Sequence, residues 1–292
     1  MLSKVLKFKA QLFKRYPQTQ EISIMYSNEP SFHGFKLPED LLDYRSHESK
    51  KRLIRCMSEG TAMPFLALSS CYKPQSHPAY CGFSTLVMVL NALRVDPKRL
   101  WKTPWRWFTE ELLEKSVELT ELELIRKTGI TMEQFQNVSE RNGATCKLVR
   151  PSGDSEEGYE EFLSDLYHVC AGRKSRWQDH GLIRSDDNSR NMNLALSEEY
   201  PNKLMAVSFY REALEQHGNG HYSPVAAFDL KTNSVLVLDT ARFKYPPYWV
   251  PTRDLYRSMV PIDTATEKSR GYFLMKRNDV GKIQDLSLYL ED

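Results

Sequence analysis

No two cysteines of this chain form a Cys-x-x-Cys pair. The five present, Cys56, Cys71, Cys81, Cys146 and Cys170, are odd in number and widely spaced. That argues against a disulfide framework and against a zinc ribbon, and suits a reducing compartment with free thiols. No apolar run approaches the ~20 residues that a membrane span needs. Neither sign of charge is in excess, since 40 Lys and Arg oppose 38 Asp and Glu for a net +2. No basic stripe interleaved with aromatics runs along the chain, so nothing calls for nucleic acid. No internal repeat is evident.

What is there is ordinary globular material, with 41% hydrophobic and 27% charged residues in a chain of 292. It is long enough for one large domain or two lobes. Residues 1 to 20 carry Lys4, Lys7, Lys9, Lys14 and Arg15 with no acid before Glu21. They read as a surface helix, with an organellar transit peptide as the alternative. Ser46 to Gly60 predicts a helix ending at glycine. Glu110 to Glu123 predicts a leucine-spaced helix, and Thr131 an N-cap for another over Met132 to Asn142. The aromatic run Trp101, Trp105, Trp107 and Phe108 predicts a packed hydrophobic corner. A further helical piece falls near Tyr159 to Val169. Gly172 to Asn193 lacks apolar periodicity and predicts a polar insertion.

The period then changes. Leu204 to Tyr210 and Gly271 to Lys276 read as strands. Tyr222 to Asp229 and Ser234 to Asp239 read as a hairpin about Lys231-Thr232-Asn233. Helices first and antiparallel strands later predict an α+β fold, two lobes meeting at a cleft.

The stretch with most chemistry is Gln75 to Leu93, QSHPAYCGFSTLVMVLNAL. Pro78 keeps His77 out of the helical region, so Gln75 to Pro78 is a loop. From Gly82, Leu86, Val87, Leu90 and Leu93 recur at helical spacing, which puts Cys81 in the first turn of a largely buried helix. Unpaired backbone N–H groups and the helix dipole favour thiolate there, the nucleophilic form. Gln75 stands where its side-chain NH2 could serve as an oxyanion donor. On this stretch alone, Cys81 could equally be a small apolar residue at a core helix.

A nucleophile needs a base and a group to orient it. His221 opens the first strand of the hairpin and Asp239 ends the second, and paired strands lie about 5 Å apart. An Asp beside a His orients the imidazole, and a His beside a thiol takes its proton. The alternatives are a turn histidine and a strand-end cap. Cysteine on a helix, then His and Asp on a later sheet, is the general plan of papain-like enzymes. His77 is close to Cys81 in sequence but on a loop, and reads as a surface residue, while His33, His47, His168, His180 and His217 have no partner at a telling spacing.

Four stretches, QSHPAYCGFSTLVMVLNAL, DPKRLWKTPWRWF, GNGHYSPVAAF and LVLDTARFKYPPYWVP, closely resemble the catalytic domain of phytochelatin synthases. The resemblance runs, with gaps, from about Leu37 to Lys276, leaving residues 1 to 36 as an N-terminal extension and 37 to 292 as the domain. It implies a papain-like fold and a γ-glutamylcysteine dipeptidyl transpeptidase that uses glutathione. Cys81 would be the nucleophile, His221 the general base and acid, Asp239 the orienting carboxylate, and Gln75 the oxyanion donor together with the Cys81 N–H. Asp263 and Arg270 would hold the γ-glutamyl amino and carboxylate groups. Gly220 and Tyr80, next to His221 and Cys81, would belong to the same substrate site. Arg242, Lys244 and Tyr245 would lie near an anionic second substrate, with a solvated basic edge as the rival reading.

The resemblance further implies no required cofactor and no protein metal site. Heavy metal ions such as Cd or Zn would enter as activators or as a metal–glutathione substrate. The expected partners are glutathione, phytochelatin peptides and those ions, with no nucleic acid or membrane, and a homodimer is compatible. The expected location is cytoplasmic, or mitochondrial if residues 1 to 20 act as a transit peptide. Where family members often carry extra cysteines, this chain has Lys115, Ser116, Asn137 and Arg141, and the cysteine-rich C-terminal domain of plant members is not expected after residue 276. Both departures count against strong metal sensing and efficient chain extension. Water in place of the second glutathione would make the protein mainly a hydrolase.

Overall fold

The structure, a computed structural model, describes residues 34–172 and 201–278. Strand β1 (Leu42–Asp43) leads into helices α1 (His47–Glu59), α2 (Met63–Ser70) and α3 (Cys81–Ala92). Three shorter helices follow, α4 (Glu110–Glu114), α5 (Leu119–Thr128) and α6 (Met132–Arg141), then β2 (Ala144–Val149) and α7 (Glu156–Ala171). Beyond residue 200 come β3 (Leu204–Tyr210), β4 (Gly220–Asp229), β5 (Ser234–Val237) and β6 (Tyr248–Pro251). Helix α8 (Thr252–Met259), a small hairpin of β7 (Ile262–Asp263) and β8 (Lys268–Ser269), and β9 (Gly271–Arg277) complete the order. The class is α+β, as the residue pattern predicts. The reading of residues 1 to 20 and most of the polar insertion lie outside the described residues.

Seven strands form one antiparallel sheet in the order β1-β6-β5-β4-β3-β9-β2. Helices cover both of its faces, which explains why the central strands are apolar without interruption. Along β3, Leu204 and Ala206 join one core, and Met205, Val207 and Phe209 join the other. The first core also holds α3, and the second holds side chains of α7 and α8. Helix α3 is buried along all twelve of its residues. It lies inside the molecule rather than on it, so the first turn, with Cys81, is fixed by packing on every side.

Local chemistry sets several boundaries as expected. Ser46 caps α1 by accepting from the Ser49 N–H, and Gly60 ends it in the left-handed region at φ 72°. Thr131 and Gln134 form a reciprocal capping box at α6. Two expectations are corrected. The single helix over Glu110 to Glu123 is two helices, broken at Lys115–Glu118. Asn142 donates to the Ser116 hydroxyl at 3.0 Å and Arg141 to the Ser116 carbonyl at 3.2 Å, so α6 ties the break down. The aromatic run is not a packed corner either. Phe108 is fully buried, but Trp101, Trp105 and Trp107 are 40%, 66% and 41% exposed. A tight turn projects them, with the Trp101 N–H donating to the Trp105 carbonyl at 2.9 Å. The Lys102 ammonium lies 4.9 Å from the Trp101 ring centroid. Strand β6 and helix α8 follow the proline pair Pro246–Pro247. Among the described residues no helix is long and apolar enough to cross a membrane.

Gly82 matters because of a close approach. A Cβ there would stand 2.1 Å from Ile130 Cγ2. Gly82→Ala is expected to destabilise the fold by about 1–3 kcal/mol through overpacking. Urea denaturation of the variant and the parent checks this, and equal midpoints would refute it.

Candidate active site

Cys81 opens α3, directly after the loop Lys73–Tyr80. The backbone N–H groups of Tyr222 and Gly82 act on its sulfur and favour the charged form. Tyr222 follows His221 on β4, so the packing of helix on sheet brings the thiol to the residue next to the histidine. His221 is buried, with its ring edge-on to Phe209, its cross-strand partner on β3, at 5.5 Å. Its Nε2 lies 2.9 Å from Asp239 Oδ1, off the ideal N–H direction. Asp239 sits two residues past the end of β5 rather than within it. The hairpin still carries it to His221, because β4 and β5 pair antiparallel and the Leu238 N–H reaches the Pro224 carbonyl at 3.1 Å.

The carboxylate of Asp239 is fully buried and held from several sides. Arg211 Nη2 donates to both oxygens, at 3.0 and 2.8 Å. The Ala241 N–H donates to Oδ1 at 2.8 Å. Arg211 is itself buried in the short 3₁₀ turn Arg211–Leu214 after β3. It also donates to Gln216 Oε1 and lies 5.3 Å from the Tyr245 ring centroid. Sequence reasoning missed Arg211. Its only signal was an arginine directly after the fully apolar strand LMAVSFY, one cation among forty.

Burial and charge together set the protonation states. Burial opposes the charge on Asp239, but Arg211 and His221 outweigh it and hold the carboxyl well below its usual range. Burial pushes His221 down to about 4, helped by the Arg211 cation and resisted by Asp239. Burial also pushes the Cys81 thiol up, against the Tyr222 N–H, the Arg211 cation and the Gly82 N–H. Burial thus opposes charge on both groups, while the N–H groups at the start of α3 act in the expected direction, towards thiolate. Desolvation is the larger effect at a sulfur enclosed on every side.

Gln75 is buried and anchored. Its N–H donates to the Thr240 carbonyl at 2.9 Å, and its Oε1 accepts from the Thr240 hydroxyl at 3.3 Å. Its Nε2 donates to the carbonyls of His77 and Pro78, both at 2.9 Å. The amide thus closes its own loop. Tyr80 is buried against His77 and Phe83, and its hydroxyl accepts from Arg126 at 2.9 Å.

Arg270 stands on the other side of His221. It precedes β9 and packs over Tyr210 at 5.1 Å. A Cβ on Gly220 would lie 3.2 Å from its Nε, so glycine there makes room for the guanidinium. Arg270 is 5% exposed, and its Nε has no hydrogen-bond partner among the described residues. Asp263 Oδ1 lies 3.8 Å from Arg270 Nη2 and is half-buried. Arg242 lies against the Tyr72 ring at 5.8 Å. Tyr245 is buried, and its hydroxyl accepts from the His217 N–H at 2.8 Å. It therefore supports Arg211 from within rather than facing solvent. Lys244 is half-buried, with its Nζ 3.4 Å from the His217 carbonyl. Burial lowers its pKa, assisted by the Arg211 cation. Among the described residues no group of three His, Cys, Asp or Glu is arranged to hold a metal.

Removing Arg211 would leave Asp239 buried without its cation. Arg211→Met is expected to cost about 3–5 kcal/mol of stability. Thermal and chemical denaturation check this, and a variant as stable as the parent would refute it.

A family model described as phytochelatin synthase matches residues 32–272. A glutathione gamma-glutamylcysteinyltransferase of Schizosaccharomyces pombe is 35% identical over 248 residues, 84% of this chain and 51% of the relative. One from Lotus japonicus is 35% identical over 236 residues, 81% and 42% of the two chains. One from Arabidopsis thaliana is 31% identical over 247 residues, 85% and 47%. The chain spans about half the length of the curated relatives it matches. From the extent of the family match and these identities, the chain belongs to the phytochelatin synthase family.

Proposed function

We propose that the protein is a thiol-dependent γ-glutamylcysteine dipeptidyl transpeptidase acting on glutathione. The observation that carries the reading is one juxtaposition. The amide next to His221 acts on the Cys81 sulfur, and His221 Nε2 lies 2.9 Å from Asp239. With Nε2 turned to the carboxylate, Nδ1 is the ring nitrogen left for the sulfur. The arrangement supports a papain-like plan, with cysteine on the helical side and His and Asp on the sheet.

In this reading glutathione enters with its γ-glutamyl end at Arg270 and Asp263. A guanidinium suits the α-carboxylate and an aspartate suits the ammonium. The buried, unpartnered Nε of Arg270 supports that assignment. The thiol proton passes to His221 as Sγ attacks the Cys–Gly carbonyl. The Cys81 N–H at the start of α3 stabilises the oxyanion, and Gln75 joins it if its amide turns from its own loop. The imidazolium, stabilised by Asp239, then protonates the departing glycine amine. A γ-Glu-Cys thioester remains on Cys81. The amine of a second glutathione, its carboxylates near Lys244 and Arg242, gives up a proton to His221 and takes the acyl group. The products are a longer γ-Glu-Cys peptide and free enzyme. Metal ions fit this scheme as glutathione thiolate complexes that serve as acceptor. The five unpaired cysteines support work in a reducing compartment.

Hydrolysis is the alternative outcome of the same acyl-enzyme. Water has only to reach the thioester before an amine does, and the departures at Lys115, Ser116, Asn137 and Arg141 favour it.

The deciding experiment is incubation with glutathione, with and without cadmium, resolved by mass. Peptides longer than glutathione are expected for a transpeptidase, and only γ-Glu-Cys with glycine for a hydrolase. Cys81→Ala is expected to release no glycine while keeping its fold by circular dichroism. Release at the parent rate by that variant would sink the reading. The pH dependence supplies a second check. His221 is depressed to about 4, so its base form persists as pH falls below the ordinary value of 6.5. The acid limb of kcat/KM is therefore expected nearer pH 4 than pH 6.5. Linkage has the matching sign. The unfolded chain binds a proton that folded His221 refuses, so His221 costs stability as pH falls from 6.5 towards 4. An acid limb centred at 6.5 would contradict both.

A further inference from the structure

The loop before Cys81 has a support that the reaction scheme does not use. Glu110, the first residue of α4, is 4% exposed. Its Oε2 accepts from Lys73 Nζ at 2.6 Å, and its Oε1 accepts from the Ser76 N–H at 3.2 Å. These two partners stand on either side of Gln75. A carboxylate is removed from water to grip a loop at two points, and burial of that kind is costly unless both oxygens are engaged.

Glu110 is itself fixed to the helix that carries the thiol. Asn91, near the end of α3, donates to the Phe108 carbonyl and accepts from the Phe108 N–H, both at 3.0 Å. Phe108 is fully buried, and Thr109 caps α4 by accepting from the Leu112 N–H. At the other end of α3, the Ser84 hydroxyl donates to the Lys73 carbonyl at 3.3 Å. The contacts form a closed circuit. It runs from Cys81 along α3 to Asn91, across to Phe108 and Glu110, and back through Lys73 and Ser76 to Gln75 and Cys81.

We infer that Glu110 is a positioning residue for the reaction, clamping the Lys73–Tyr80 loop against α3 so that Gln75 and the Cys81 N–H stay registered to the sulfur. It does not touch substrate. Its effect falls on the rate of acyl-enzyme formation rather than on glutathione binding, since Arg270 and Asp263 lie on the sheet side. The inference rests on the reading of Cys81 as the nucleophile.

The test compares Glu110→Ala, Glu110→Gln and Lys73→Met with the parent and with Cys81→Ala. The readouts are the single-turnover rate of glycine release, KM for glutathione, and hydrogen exchange of the amides from 73 to 80. Glu110→Ala loses both arms, and a small misplacement of catalytic groups is enough for a loss of about tenfold or more in rate. Glu110→Gln keeps an acceptor for the Ser76 N–H and is expected within about threefold of the parent. KM stays within about threefold throughout, and exchange in the loop rises for Glu110→Ala, since a clamp acts on order and not on affinity. A merely structural role would lower activity only with the folded fraction, with no rescue by glutamine. That outcome, a KM change with the rate untouched, or unchanged loop exchange would overturn the inference. Should Glu110→Ala fail to fold, Lys73→Met removes one arm alone. It is expected to slow the rate about threefold and raise loop exchange, and parent values for both would refute the clamp. Glycine release by Cys81→Ala would instead overturn the reading of the nucleophile, with loop exchange still judging the clamp.

Discussion

A carboxylate with no exposed surface is the constraint on which the rest of the site depends. Asp239 is stable as an anion only because Arg211 donates to both its oxygens and Ala241 supplies a backbone N–H. Arg211 in turn needs Gln216 and the Tyr245 ring to be buried at all. The pair therefore fixes the ends of three segments at once: the turn after β3, the entry to β4 and the exit from β5. His221 inherits its place from that junction. Double coverage of the sheet supplies the rigidity, since both faces of β4 are packed and its first residues have no freedom to drift.

The same pair has a second effect on His221. Asp239 pulls its pKa up while Arg211 and burial push it down, and the downward influences win. A carboxylate near a histidine thus does not by itself make an imidazolium. Its arginine partner neutralises much of its field, leaving an orienting contact with little net charge.

Much of this was legible in the residues, and the part that was not has a physical cause. The strands at Leu204 and Gly271 and the helix at Cys81 are strongly apolar over a whole element, and burial on all sides leaves that mark. Ser46 with Gly60 and Thr131 with Gln134 were readable because a cap is local chemistry. His221 and Asp239 could be paired because a short turn fixes which residues of a hairpin are neighbours. Arg211, Thr240 and Glu110 were not readable, because their partners lie 28, 165 and 34 to 37 residues away. The tryptophans misled for a different reason. Four large aromatics in eight residues suggest a core, yet only Phe108 is enclosed, and nothing in the order of residues says which rings a turn will project.

The enclosure of Cys81 also bears on chemical durability. Thiolates, not thiols, are what peroxides oxidise and what soft metal ions bind. A resting sulfur that keeps its proton is a poor target for either. The burial that raises the Cys81 thiol therefore works against both reactions at that sulfur.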